Sequence, residues 1–249
     1  MTRIVLKIGS NLLTDASHRL DVTNMTSLIF QVADYTMHHP DIEFIIVSSG
    51  AITSGSRHIQ QTLNTLSEKQ AAASVGQIIL FQQYYELFQQ KNRCVGQLLL
   101  TKDNFDDSIK TANITTTINT LLLNHVIPII NENDSVSTDE IQFGDNDQLA
   151  SVLAIEMAAD ILILLTNVDG LLDDTNTVVQ QLSAITSREL GWVDSRLSSS
   201  NSRGGMSSKL LAASNALAAG IDVRIGNGRR PTIVADLLEK KGVGTFIDA

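Results

Sequence analysis

The chain is short of several residue types, and each shortage removes a class of protein. There is one cysteine, Cys94, so no internal disulfide and no cysteine-based zinc site can form. Cys94 reads as a small apolar residue inside a strand. Only 3 prolines occur against an apolar share of 43%, which argues against a disordered chain. Positive charge is in the minority. Lys and Arg total 18 and Asp and Glu total 27, leaving a formal charge of −9. That balance disfavours nucleic acid and anionic membranes as partners, although a nucleotide needs only a local positive site. Long apolar runs are missing too. Ile161 to Leu165 follows Asp160 and is far too short to span a bilayer. Lys7 interrupts the first apolar run after Ile4, Val5 and Leu6, so no signal peptide is expected. The expectation is a soluble, cytoplasmic protein.

The commonest catalytic motifs are also lacking. No G-x-x-x-x-G-K-[ST] loop occurs. Gly226-Asn227-Gly228 begins like a dinucleotide fingerprint, but Pro231 stands where the third glycine belongs. There is no H-E-x-x-H, the 5 histidines show no metal spacing, and no G-x-S-x-G elbow appears. Phosphoryl transfer built in another way is left open.

What the chain does have is a regular alternation. At 249 residues it can bury about 70% of its unfolded surface, enough for one large core. Arg3 to Ile8, Phe44 to Val47, Val95 to Leu100, Val126 to Ile130, Ile161 to Leu165 and Val223 to Ile225 read as strands, and Gly244 to Ile247 is strand-like. Several are continuously apolar, as in a parallel sheet covered on both faces. Met25, Leu28, Val32 and Tyr35 mark one face of a first helix, and Ala71 to Phe88 reads as a second. Gln148 to Ala158 reads as another, and Met206, Leu210, Ala213 and Leu217 mark one more, ended by Gly220. The fold class expected is a three-layer αβα sandwich around an open, mainly parallel sheet. Val136 to Phe143 reads as a small hairpin. Ser198 to Gly205, rich in Ser and Gly, reads as a mobile loop within a single domain.

Ligands of open α/β sheets bind at the carboxyl ends of the strands. Those ends carry Lys7-Ile8-Gly9-Ser10, Ser48-Ser49-Gly50-Ala51, Asn131-Glu132-Asn133-Asp134 and Thr166-Asn167-Val168-Asp169-Gly170. A further helix starts Gly204-Gly205-Met206-Ser207-Ser208-Lys209. Glycines, hydroxyls, amides and two lysines on one edge suit a ligand carrying phosphates. Each piece also has an ordinary reading. Gly9-Ser10 can be a turn, Ser49 to Ala51 a helix cap, and Asn133-Asp134 turn formers. Lys7 is harder to explain away, because an ammonium in an apolar strand must find a polar partner. Asp145-Asn146-Asp147 opens a helix. These side chains either cap it or recognise an ammonium group and order nearby lysines.

Together and in this order, these segments resemble the amino acid kinase family. The resemblance also takes in Gly96-Gln97-Leu98-Leu99-Leu100-Thr101, and it spans nearly the whole chain. The N-E-N-D and F-G-D-N-D segments, 131–134 and 143–147, are similar to those of members that phosphorylate L-glutamate on its side-chain carboxylate. The product implied is L-glutamyl 5-phosphate, the first intermediate of proline synthesis. The resemblance implies ATP as donor, with Mg²⁺ carried by ATP and no metal ligand from the protein. It assigns Lys7 and Lys209 to the transferring phosphoryl group and Asp147 to holding those lysines. Ser49, Gly50, Ala51, Asp134, Asp145 and Asn146 would meet glutamate. Gly9, Ser10, Thr166, Asn167, Arg203, Gly204, Gly205, Met206, Ser207 and Ser208, with both lysines, would meet the nucleotide.

Several further expectations follow from the resemblance. Members of this kind form homo-oligomers, dimers or tetramers, and are inhibited by L-proline. Many carry a C-terminal PUA domain. This chain is expected to be the kinase domain alone, because its last strand-like run ends just before Ala249. Asn167 stands where close relatives often have Asp, and Arg203 where a small residue is common. Competing readings are a kinase for acetylglutamate, aspartate, UMP or isopentenyl phosphate, and a non-catalytic ligand sensor on the same fold. Retention of both lysines argues against the sensor.

Overall fold

The computed structural model describes the whole chain except residues 16, 18, 60–62, 138–145 and 198–204. Along the chain run β1 (Thr2–Ile8), α1 (Ser10–Leu13), α2 (Val22–His38), β2 (Ile42–Val47), α3 (Ala51–Ser56), α4 (Leu66–Gln90) and β3 (Cys94–Leu100). Next come α5 (Ser108–Leu123), β4 (Val126–Glu132), α6 (Asn146–Glu156), β5 (Ile161–Thr166), β6 (Gln181–Leu182) and α7 (Ser187–Leu197). The last elements are α8 (Gly205–Ala218), β7 (Asp222–Asn227), α9 (Ile233–Leu238) and β8 (Thr245–Ile247).

The strands form one sheet in the order β3-β4-β2-β1-β5-β7-β8-β6. Every pairing is parallel except β7 with β8. Alternate residues of the central strands feed two separate cores, which is why the strands are apolar throughout. Val5, Ile45, Val47, Ile130, Leu162 and Leu164 face one layer with residues of α5, α6 and α8. Ile4, Leu6, Ile8, Phe44, Ile46 and Ile163 face the other with α1, α2, α4 and α9. The expected three-layer sandwich is present. No helix among the described residues is long and apolar enough to cross a membrane.

Local chemistry sets several boundaries. Thr65 and Glu68 form a capping box, which starts α4 about a turn and a half before the apolar pattern does. Gly220 takes φ +79° and ends α8, as expected. Pro128 lies within β4, and the ladder to β2 begins only at Ile129, one residue beyond the proline that has no N–H to give.

Five helices, α1, α3, α5, α7 and α9, and the two-residue β6 go beyond the sequence reading. Helix α5 contains the β-branched run Thr115-Thr116-Thr117, a poor helix signal. It forms because Asp107 caps it and because Ile114, Ile118 and Leu122, four apart, enter the core. Cys94 is on a strand but exposed, because β3 is the edge of the sheet. The proposed hairpin at Val136 to Phe143 and the loop Ser198 to Gly205 lie almost wholly outside the described residues.

Candidate active site

Four strands deliver their carboxyl ends to one edge. At its centre Lys7, from β1, and Lys209, from the first turns of α8, converge on Asp147 of α6. Lys7 Nζ is 2.6 Å from Asp147 Oδ1, and Lys209 Nζ is 2.8 Å from Oδ2. Asp147 is 0% exposed, Lys7 2% and Lys209 6%. Two ammonium groups share one carboxylate in a dry setting, so the triad keeps a surplus positive charge. Gly9 is two residues beyond Lys7, and a Cβ added there would stand 3.6 Å from Lys7 Nζ, so the ammonium lies against the start of α1.

Beside the triad is a cluster of amides and hydroxyls. Asn146 Nδ2 donates to Ser48 O at 2.6 Å, Ser49 Oγ at 3.1 Å and Asn131 Oδ1 at 2.9 Å. Asn146 Oδ1 is buried with no hydrogen-bond partner among the described residues. Ser48 Oγ lies 3.0 Å from the hydroxyl of the fully buried Tyr84, whose phenol pKa is raised by burial. Asp134 and Glu132 stand at the end of β4. Burial lifts the Asp134 carboxyl to about 6. Burial first, and the charge of Asp134 second, lift Glu132 to about 7.

The loop carrying Ser49 is set by a close crossing of α3 and α4. A Cβ on Gly55 would fall 1.9 Å from Ala72 O, and one on Gly76 would fall 1.8 Å from Ala51 O. Only glycine permits that approach. Gly50 takes φ +90°, which turns the chain from β2 into α3. Ala51 is buried in the core, so its backbone alone faces the edge.

Thr166 ends β5 and Asn167 follows it, on the far side of Lys7. They are tied to the rest of the edge through backbone, with Gly228 N donating to Thr166 O at 2.9 Å. Asn227 Nδ2 donates to Asp169 Oδ1 at 2.9 Å, and Arg229 links Asp21 and the carbonyl of Asn11, each at 3.0 Å. Gly205 to Ser208 form the first turn of α8, where Met206 packs on the core and Ser207 Oγ is buried without a partner among the described residues. Asp145, Arg203 and Gly204 lie outside the described residues.

The structure therefore gathers Lys7, Asp147 and Lys209 into contact, and Ser49 with Asn146. Among the described residues no hydrogen bond or ion pair joins Thr166 or Asn167 to either group. Sequence reasoning did not single out Gln77 or Arg229. Ser48 and Asn131 each stood inside a quoted motif without a role.

Residues 2–227 match the amino acid kinase family. The chain belongs to that family, among its glutamate 5-kinases. It is 38% identical over 246 residues to the glutamate 5-kinase of Bacteroides thetaiotaomicron, covering 96% of this chain and 67% of that one. It is 36% identical over 257 residues to the enzyme of Clostridium acetobutylicum, covering 99% and 94%. Two solved structures, both at 16% identity, share the fold. They are UMP kinase from Ureaplasma parvum (TM-score 0.60, 100% of both chains) and N-acetylglutamate synthase from Neisseria gonorrhoeae (TM-score 0.68, 100% of this chain and 59% of that one). Membership makes the chain an ATP-using kinase.

Proposed function

We infer that the chain transfers the γ-phosphoryl group of ATP to the side-chain carboxylate of L-glutamate, forming L-glutamyl 5-phosphate for proline synthesis in the cytoplasm. Residues 1–249 act as a single kinase domain in this reading. The observation that supports it most is the buried Lys7–Asp147–Lys209 triad beside Asn146 Oδ1, which has no hydrogen-bond partner among the described residues.

The chemistry follows from charge. A carboxylate attacking a phosphate brings two anions together, so the enzyme must supply positive charge and alignment. Lys7 and Lys209 supply the charge. Asp147 fixes their positions. The attacking carboxylate of glutamate is already ionised at neutral pH, so no general base is needed.

Ser49, Gly50, Ala51, Asp134, Asp145 and Asn146 receive glutamate in this reading. Asp134 is suited to its ammonium group, because an arriving cation lowers a carboxyl pKa that burial has raised. Gly9, Ser10, Thr166, Asn167 and the stretch from Arg203 to Lys209 receive ATP. Mg²⁺ would travel with the phosphates. Both oxygens of Asp147 are engaged by lysines, and no cluster of three or more His, Cys, Asp or Glu among the described residues could hold a metal. Family resemblance adds a homo-oligomeric assembly and inhibition by L-proline to the proposal.

A coupled ADP-release assay over a panel of small acids tests the reading. Glutamate should be turned over far faster than N-acetylglutamate, aspartate or UMP. Faster release with any of those, or none with glutamate, would overturn it.

A further inference from the structure

Gln77 belongs to none of the motifs above, yet it reaches the acceptor side of the site from helix α4. Two backbone groups fix the sense of the amides there. The N–H of Glu132 can only donate, so the Asn131 atom 2.9 Å from it is Oδ1. The carbonyl of Ser48 can only accept, so the Asn146 atom 2.6 Å from it is Nδ2. Asn146 Nδ2 also donates to Asn131 Oδ1 at 2.9 Å, which leaves that oxygen with two donors. Asn131 Nδ2 is therefore turned toward α4, where Gln77 Oε1 accepts from it at 2.8 Å. Asn131 is 1% exposed, so this acceptor has no ready substitute in water.

We propose that Gln77 is a positioning residue for the acceptor substrate. It holds Asn131 against Asn146, and so keeps Asn146 Oδ1 free to accept from that substrate. The inference rests on the reading that L-glutamate is the acceptor, whose α-ammonium is the donor that Oδ1 would meet. Without Gln77, Asn131 Nδ2 becomes a buried donor with no partner. Asn131 can escape that penalty only by rotating, and rotation withdraws Oδ1 from Asn146. Gln77 touches no reacting atom, and its effect passes through Asn131.

Gln77→Met removes the acceptor at similar volume. Gln77→Asn withdraws it by about one bond length, roughly 1.5 Å, and serves if the first variant folds poorly. Either should raise the KM for glutamate on the order of tenfold, with the KM for ATP held within twofold. In an Asn131→Ala background the same change should add nothing to the glutamate KM, because the group it acts through is gone. An equal rise in both backgrounds, or an equal rise in the ATP KM, overturns the proposal. A second readout needs no substrate. In ¹⁵N-asparagine-labelled protein, the Asn146 side-chain amide, assigned by its loss in Asn146→Ala, should exchange with solvent faster when Gln77 is replaced. Unchanged exchange overturns the relay even if glutamate is the substrate. Faster exchange in a protein that does not phosphorylate glutamate leaves the relay standing and overturns the substrate.

Discussion

The two ends of the site are built from different materials. The end proposed for glutamate is a knot of amides and hydroxyls beside the half-buried Asp134 carboxyl. Asn131 of β4, Asn146 of α6, Gln77 of α4 and Ser48 and Ser49, which follow β2, are linked at distances from 2.6 to 3.1 Å. The end proposed for the nucleotide is braced by charged and exposed groups. Arg229 reaches Asp21 across a pair whose side chains are 47% and 19% exposed, and Asn227 meets Asp169 at the surface. Buried dipoles cannot be screened or replaced by water, so they define a small zwitterion by geometry. A polyanion is drawn mainly by charge, which works across water and tolerates looser contacts. The Lys7–Asp147–Lys209 triad lies at the junction.

The sharpest test of that division is at the junction. Lys7→Ala and Lys209→Ala should each lower kcat on the order of 10²-fold or more while the far-UV CD spectrum is preserved. Lys7→Met with unchanged kcat would remove the triad from the chemistry. Asp147→Asn should lose activity and also stability, about 3–5 kcal/mol, because two buried ammonium groups lose their counter-charge. A melting temperature equal to that of the parent would contradict this.

The acceptor end comes next. Asn146→Ala and Asp134→Ala should raise the glutamate KM on the order of tenfold or more and leave the ATP KM within twofold. Steady-state kinetics with each substrate varied in turn would reveal equal rises, which would mean that the two ends are not separate.

The nucleotide brace should give a smaller effect of the opposite selectivity. Arg229→Met is expected to raise the ATP KM about two- to fivefold at low salt, with the difference shrinking as salt is added. A salt-independent effect, or one on glutamate, would erase the contrast between the ends.

The smallest effect is on stability against pH. The Glu132 carboxyl is raised from its ordinary 4.5 to about 7, so the folded chain binds that proton more tightly than the unfolded chain does. Its contribution is fully present below about pH 4.5 and is lost as pH rises toward 7. Glu132→Gln should therefore raise the melting temperature of the ligand-free protein at pH 8 by roughly 2–4 °C, the size expected of about 1 kcal/mol. At pH 4.5 it should change little. Calorimetry at the two pH values checks the sign, and a gain confined to pH 4.5 would refute it.

Much of this could be read from the chain before folding. Lys7 declared itself because an ammonium in a strand otherwise made of Ile, Val and Leu needs a polar destination. The strand ends carrying Ser49, Asp134 and Thr166 were legible as a ligand edge because continuous apolar runs imply a parallel sheet. Helix α5 was hidden, since three successive threonines mask the apolar spacing of Ile114, Ile118 and Leu122. The crossing of Gly55 over Gly76 was hidden as well, because nothing local marks which glycine another backbone will approach.

The sequence by itself determined the layers, the strand ends that form the site and the presence of two lysines there, because periodicity, burial and charge act on neighbouring residues. Only the tertiary structure decided the partners. Asp147 and Lys209 are 62 positions apart, and Asn146 and Ser49 are 97 apart. Hydrogen bonds over such separations depend on how strands and helices pack, so one carboxylate shared by two lysines, and an asparagine amide held by Asn131 and, through it, Gln77, exist only once the sheet has assembled.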